Sequence, residues 1–319
     1  MGVSAHSYSR CLQRVICDFG SDHSFGTVNK KLQEHYGITV SSSAPRVITE
    51  HHAFEVNNLG DSIGLPINSP ADVVIGESDG SMIPIVETYV PESPDKSTDR
   101  RKNKRLFWKE ARLSMAHAKG STTPIFAGTM DSVEIAGQQL LACVNAAGAT
   151  EKTKVHCVGD GARWIANQVE EKFGSNGVYL IDFYHLCEYL GAAAPACAPD
   201  NKEDWLKIQK ETLKLSEYAR VLNALRPHLE PSATEDSQAP VRACHRYIKN
   251  RPEQLDYKTA LEQELPIGSG EVESAHRYVL QKRLKLAGAW WSIEHAKNMI
   301  KLRTCRANDL WDAYWKKVA

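Results

Sequence analysis

No apolar run in this chain of 319 residues approaches the roughly 20 consecutive residues that a membrane-spanning helix needs. The opening Met1-Gly2-Val3-Ser4-Ala5-His6 also lacks the charged-then-apolar order of a secretory leader. The expectation is a cytoplasmic protein that makes no membrane contact. Cysteine offers no framework either: the eight residues, Cys11, Cys17, Cys143, Cys157, Cys187, Cys197, Cys244 and Cys305, form no Cys-x-x-Cys pair. That spacing argues against a zinc ribbon or a dithiol redox centre and leaves buried reduced thiols. Net charge is missing as well, because 39 Lys and Arg balance 39 Asp and Glu. Any attraction to a polyanion must therefore come from local clustering.

What is present is ordinary globular material, 42% hydrophobic and 24% charged, enough for one large domain and a small one. Cations do cluster. Arg100-Arg101-Lys102-Asn103-Lys104-Arg105 is almost wholly basic, and between Arg277 and Arg306 only Glu294 opposes a recurrence of Lys and Arg that includes Lys282, Arg283 and Lys285. Solvated loop and helix faces explain either run alone. Together they suit a track for a phosphate backbone.

Residues 1–60 read as short helices. Leu12, Val15, Ile16 and Phe19 share one stripe and Phe25, Val28 and Leu32 another; Gly37 then stops a helix, and Ser41-Ser42-Ser43 opens a third through Arg46. Helix, glycine turn, helix is the layout of a helix-turn-helix, and also of a plain three-helix bundle. After a linker over residues 57–70 the pattern changes to strands. Asp72 to Asp79 is an apolar run ending in a carboxylate, with Met82 to Val86 as its expected hairpin partner. Leu106 to His117 and Pro124 to Thr129 continue the sheet, and Ser132 to Ala147 reads as a helix.

Lys154 to Gly159 is the clearest strand, leading through Asp160 into a helix that ends near Phe173. Val178 to Ile181 is a fully apolar strand ending at Asp182. Helical composition follows to about Leu265, broken at Pro227, Pro231 and Pro240, and Gly268-Ser269-Gly270 begins a long helix to about Ala287. A last helical segment starts at Ser292. Strands first and alternating elements later indicate an α/β domain with a helical insertion.

Acids at strand ends are held by the sheet yet open to ligand. Asp79 and Asp160 fit that description, although a hairpin turn before Gly80 and a helix N-cap would equally use them. Glu271 and Glu273 sit in a first helical turn, where the macrodipole favours any acid. Glu273 falls on the same face as His276, Arg277 and Leu280 by three- and four-residue spacing. Three carboxylates suit two hard divalent cations acting on a phosphodiester. Trp290, Trp291 and Trp311 fit core packing, or stacking platforms for unpaired bases.

The blocks Glu77-Ser78-Asp79-Gly80, Gly159-Asp160-Gly161-Ala162-Arg163-Trp164-Ile165, Asp182-Phe183-Tyr184-His185-Leu186-Cys187-Glu188-Tyr189 and Gly268-Ser269-Gly270 through Glu273-Ser274 resemble the ISKra family of bacterial insertion-sequence transposases. The resemblance runs in order from about residue 70 to about 315. It implies an RNase H-like mixed sheet with flanking helices over residues 70–319 and an all-helical insertion at about 186–265, to which the residue pattern adds a small N-terminal helical domain over residues 1–60, a helix-turn-helix candidate for DNA binding. It implies a DDE site in which Asp79, Asp160 and Glu273 hold two Mg2+ or Mn2+ ions, with Glu271 the alternative third acid. Asp182 and His185 resemble an Asp-x-x-His signature shared with Mutator-like elements. The implied partners are double-stranded DNA, at element ends and target, and further copies of the chain in a dimer or higher oligomer. The implied place is the bacterial cytoplasm, on the nucleoid when bound. The implied reaction is strand cleavage followed by strand transfer; a nuclease that does not join and a transposase-derived DNA-binding protein are the alternatives. Arg46, Arg100, Arg101, Lys102, Lys104, Arg105, Arg277, Lys282, Arg283 and Lys285 are the expected DNA contacts.

Overall fold

A computed structural model describes residues 8–60, 64–89 and 103–318. At its centre is a five-stranded mixed sheet in the order β3-β2-β1-β4-β5, formed by β1 (Val73–Thr88), β2 (Lys104–Ala118), β3 (Ile125–Thr129), β4 (Lys154–Gly159) and β5 (Gly177–Ile181). β1 is antiparallel to β2 along its whole length, from Val74 opposite Ala118 to Thr88 opposite Lys104. Its parallel pairing with β4 stops early, covering only Val73 to Glu77. β5 extends the parallel half and β3 the antiparallel half. This is the α/β class expected, a mixed sheet with helices on both faces.

The expected hairpin between Asp79 and Met82 is not there. Asp79 and Gly80 lie inside the 16-residue strand β1, and the hairpin partner is β2. Gly80 is extended as part of the ladder, opposite Arg112, and glycine suits the position because a Cβ there would stand 2.2 Å from the Glu110 carboxylate. Pro84 is tolerated within the strand because its backbone faces the edge that β4 has vacated. Its carbonyl accepts from Trp291 N and Val86 N donates to Trp291 O, so one residue patches the open edge.

Two cores flank the sheet. One lies under α4 (Val133–Ala146), α5 (Arg163–Phe173) and α6 (Phe183–Cys197), and is continued by the insertion helices α7 (Lys202–Lys214), α8 (Tyr218–Leu225), α9 (Pro240–Lys249) and α10 (Tyr257–Glu262). The other packs Ile83, Ile85, Leu113 and Met115 against α11 (Gly270–Ala275), a π-helical segment (His276–Gln281), α12 (Lys282–Leu284), α13 (Ile293–Ala307) and α14 (Trp311–Lys317). The long helix expected from Gly270 thus contains a π turn. Its carbonyls at Tyr278 and Val279 accept from the buried Arg303 side chain.

The N-terminal helices α1 (Arg10–Asp22), α2 (Phe25–Tyr36) and α3 (Ala44–Leu59) enclose a small core of Ile16, Val28, Leu32, Ala44 and Ile48. They also join the second large core through Cys17, Ala53 and Val56. Gly37 closes α2 in the left-handed conformation, as its sequence position requires. The inner face of α3 is occupied by α13, while Arg46, Val47 and Phe54 face outward. None of the described helices is long and apolar enough to cross a membrane.

Candidate active site

The site forms where β1 and β4 part. Open sheets place ligands at such points, outside the carboxyl ends of the parallel strands. Asp79 is two residues past the last β1 residue paired with β4, and Asp160 follows the end of β4 directly. Burial, opposed by the Gly80 N–H that donates to Oδ1 at 2.7 Å, lifts the Asp79 carboxyl to about 6; the negative charges of Asp160 and Glu110 raise it further and His185 lowers it. The two strand acids and the histidine therefore share one electrostatic neighbourhood.

Asp160 is not the N-cap of α5. That position belongs to Ala162, and Asp160 lies outside the helix with Oδ1 accepting from Ala162 N at 2.8 Å. Its loop is pinned from several sides. Tyr179 Oη accepts from Gly161 N at 3.0 Å, Tyr247 Oη donates to Asp160 O at 2.6 Å, and Arg251 Nε donates to Gly161 O at 3.2 Å. Gly161 has φ +81°, and a Cβ on it would meet Tyr247 Oη at 2.4 Å. Tyr247 and Arg251 belong to the helical insertion, so the insertion fixes the loop that carries the second acid.

Asp182, expected in the catalytic set, is buried and saturated. Oδ1 accepts from Tyr184 N and His185 N at the start of α6, and Oδ2 accepts from Ser269 N at 2.7 Å and Ser269 Oγ at 2.6 Å. The Asp-x-x-His and Gly-Ser-Gly blocks are therefore halves of one joint. His185 is half-buried beside Tyr189 and Tyr247, with Nδ1 3.6 Å from Glu188.

The face shared by Glu273, His276, Arg277 and Leu280 divides in the structure. His276 and Leu280 are buried against the core, whereas Glu273 and Arg277 are exposed. Glu273 has no side-chain hydrogen-bond or ion-pair partner among the described residues, while Glu271 Oε2 lies 3.2 Å from His117 Nε2. Glu77 was not foreseen. Its carboxylate is almost wholly buried, Oε2 accepts from Val272 N at 2.8 Å, and Oε1 has no partner. Burial lifts it to about 8, the Val272 N–H opposes this, and Glu271, Asp182 and Glu273 add to the rise. Two-residue alternation was the available signal, since it puts Glu77 on the same face as Asp79.

Among the described residues no three His, Cys, Asp or Glu side chains are arranged to hold a metal ion. The donor chemistry nevertheless fits a hard cation. Asp79, Asp160 and Glu273 offer only oxygen; the rise of Asp79 itself comes chiefly from burial, to which Asp160 and Glu110 add.

The expected DNA contacts separate into groups. Arg46, Lys104, Arg105, Arg277, Lys282 and Lys285 are exposed. Arg100, Arg101 and Lys102 lie outside the described residues. Arg283 is a correction: it is 2% exposed, its guanidinium sits 4.5 Å from the Phe25 ring and 4.7 Å from the Trp291 ring, and Nε donates to Gly20 O at 2.8 Å. Arg303 and Arg306 likewise turn to Asp22 and Asp18 on α1. Much of the basic run fastens the N-terminal helices instead of facing solvent. Trp291 is buried with its indole N–H donating to Leu284 O, Trp311 lies under Arg306, and Trp290 is exposed beside Trp108.

A family model matches residues 138–317, that of Uncharacterised protein family (UPF0236). The chain belongs to that family. The UPF0236 match begins within α4 and ends in α14, so it includes Asp160, Asp182, His185 and Glu273 and leaves out the strand bearing Asp79. No curated protein matches the chain. Among solved structures it is similar to a chain of the Drosophila P element transposase strand transfer complex, at 9% identity and a TM-score of 0.34, over 98% of this chain and 80% of that one. A likeness of that size is too slight to carry an argument.

Proposed function

We propose that the protein is a metal-dependent DNA transposase of the three-carboxylate kind, similar to the ISKra insertion-sequence enzymes, which cleaves and rejoins DNA strands on an RNase H-like core. The observation that carries this reading is the convergence of two matched sequence blocks. Asp79 and Asp160 lie at the point where β1 and β4 part, close enough for one charge to raise the other's pKa. In the proposal Asp79, Asp160 and Glu273 hold Mg2+ or Mn2+. When bound, two such ions stabilise the attacking and leaving oxygens of a phosphodiester displacement.

The chain's own residues then have distinct tasks. The Tyr179, Tyr247 and Arg251 contacts keep the Asp160 loop in place, and the Asp182–Ser269 joint sets the start of the helix that carries Glu273. His185, near Asp79 and partly exposed, serves as an accessory donor to a phosphate oxygen or an attacking water. The exposed cations Arg277 in the π-helical segment, Lys282 in α12, whose Nζ is 3.7 Å from Asp22, and Lys285 just after α12 suit DNA phosphates.

The test uses purified protein, Mg2+ or Mn2+, and labelled DNA carrying the sequences that flank its gene, with a supercoiled plasmid as target. Cleavage and joining are expected from the wild type, and loss of both from Asp79→Asn, Asp160→Asn and Glu273→Gln at unchanged folding. Cleavage that persists in all three variants, or none in the wild type, overturns the proposal. Cleavage without joining would reduce it to a nuclease.

A further inference from the structure

The third acid stands on a helix remote in sequence from the strand bearing the first, and two buried side chains join them. Glu77 Oε2 on β1 accepts from Val272 N, and His276 Nε2 donates to the carbonyl oxygen of Asp79 at 3.0 Å. The spacing on the two elements matches. Val272 and His276 are one helical turn apart, about 6 Å along the axis, and Glu77 and Asp79 are one strand repeat apart, about 6.6 Å. The pair of bonds therefore fixes the helix along the strand, since a slip by one residue would break both. Glu273 lies between the two anchored positions.

We infer that Glu77 and His276 are positioning residues, a two-point clamp that holds α11 and its Glu273 in register with Asp79 for divalent-cation binding; this rests on the three-carboxylate reading above. Each partner is chemically suited to the task. Val272 N belongs to the first turn of α11, where no intrahelical acceptor exists, so its donor needs an outside group. A carbonyl oxygen can only accept, which makes Nε2 the protonated nitrogen of His276. His276 and Glu77 are each 1% exposed as residues, so water does not compete for these bonds. The clamp also ends where the π-helical segment begins, a backbone feature that recurs at functional sites. His276 Nε2 is 3.6 Å from Asp79 Oδ2, too far for a hydrogen bond, so the Asp79 carboxylate stays available.

Two measurements test this without cleavage activity. Hydrogen exchange on the metal-free protein reports the clamp: about tenfold faster exchange is expected across residues 268–276 in Glu77→Ala, and near wild-type exchange in Glu77→Gln, which keeps an acceptor for Val272. Titration with Mn2+ followed by electron paramagnetic resonance reports its purpose. Affinity is expected to fall about tenfold or more in Glu77→Ala and His276→Ala and to recover in Glu77→Gln and His276→Gln, the latter retaining a donor for Asp79 O. Unchanged exchange in Glu77→Ala overturns the clamp. Faster exchange at unchanged Mn2+ affinity overturns the positioning role and leaves a packing contact. Wild-type protein that takes up no Mn2+ overturns the three-carboxylate reading itself, and this role with it. Should Glu77→Ala fail to fold, the contrast between His276→Ala and His276→Gln decides.

Discussion

Asp182 and Ser269, 87 residues apart in sequence, share a double contact: the backbone N–H and the hydroxyl of Ser269 both donate to Oδ2 of the Asp182 carboxylate. The other carboxylate oxygen caps α6. One buried charge thus ties the start of the insertion to the start of the helix carrying Glu273. Ser269→Ala removes one charge-assisted hydrogen bond and should cost about 1.5–3 kcal/mol. Asp182→Ala leaves several buried donors unpaired and should cost more, about 3–5 kcal/mol. Urea unfolding of the two variants checks this. A loss below about 0.5 kcal/mol in Asp182→Ala would mean that the joint bears no load.

Gly161 has a backbone conformation that side chains rarely adopt, and Tyr247 Oη occupies the place of its missing Cβ. Gly161→Ala should therefore destabilise by about 1–3 kcal/mol and push Tyr247 away, releasing the loop that holds Asp160. The expected signature is a lower melting temperature together with weaker Mn2+ binding. A melting temperature equal to wild type would show that the loop relaxes without cost.

The strands and their order of appearance could be read from apolar runs and turn residues, and Asp160 was placed correctly because a strand, an acid and a glycine occur together there. Asp79-Gly80 was misread as a turn. Local turn chemistry cannot reveal that β2, distant in sequence, pairs with β1 straight through the glycine, with Glu110 filling the space a Cβ would take. Arg283 was misread for a related reason. A cation in a basic run looks solvated until the aromatic rings of Phe25 and Trp291, distant in sequence, close around it. Glu77 and His276 were invisible as a pair because their contacts span 195 and 197 residues.

His52 gives the fold a dependence on acid. Its Nδ1 lies 2.6 Å from Tyr314 Oη and its Nε2 3.1 Å from Gln13 Oε1. The amide oxygen accepts only, so Nε2 carries the proton and the neutral ring accepts from Tyr314. Burial, then the positive charges of His51 and Arg10, lower it from 6.5 to about 4. The unfolded chain therefore binds a proton more readily than the native one below the ordinary histidine value. The stability contribution is complete above about pH 6.5, declines as the pH falls toward 4, and amounts to at most about 3 kcal/mol. Melting temperatures between pH 7 and 4 should fall less steeply in His52→Gln than in wild type. Parallel curves would remove His52 as a source of the acid sensitivity.

The division of the basic run makes the last prediction. Arg277 and Lys285 are exposed in the stretch that follows α11, whereas Arg283 is enclosed by Phe25 and Trp291 and bonded to the Gly20 carbonyl. A phosphate contact releases counterions, so its loss lowers the slope of log affinity against log salt by roughly 0.9. A buried cation releases none. Arg277→Ala and Lys285→Ala should therefore each weaken duplex binding and reduce that slope by about 0.9, with melting temperatures near wild type. Arg283→Ala should leave the slope unchanged and lower stability by about 2 kcal/mol, through lost cation–π contacts and a lost hydrogen bond. Binding isotherms at several salt concentrations, paired with thermal melts, separate the two classes. A reduced slope in Arg283→Ala at unchanged stability would show that this side chain leaves its pocket to meet DNA. Unaltered slopes in both Arg277→Ala and Lys285→Ala would remove the stretch from Arg277 to Lys285 from the DNA surface.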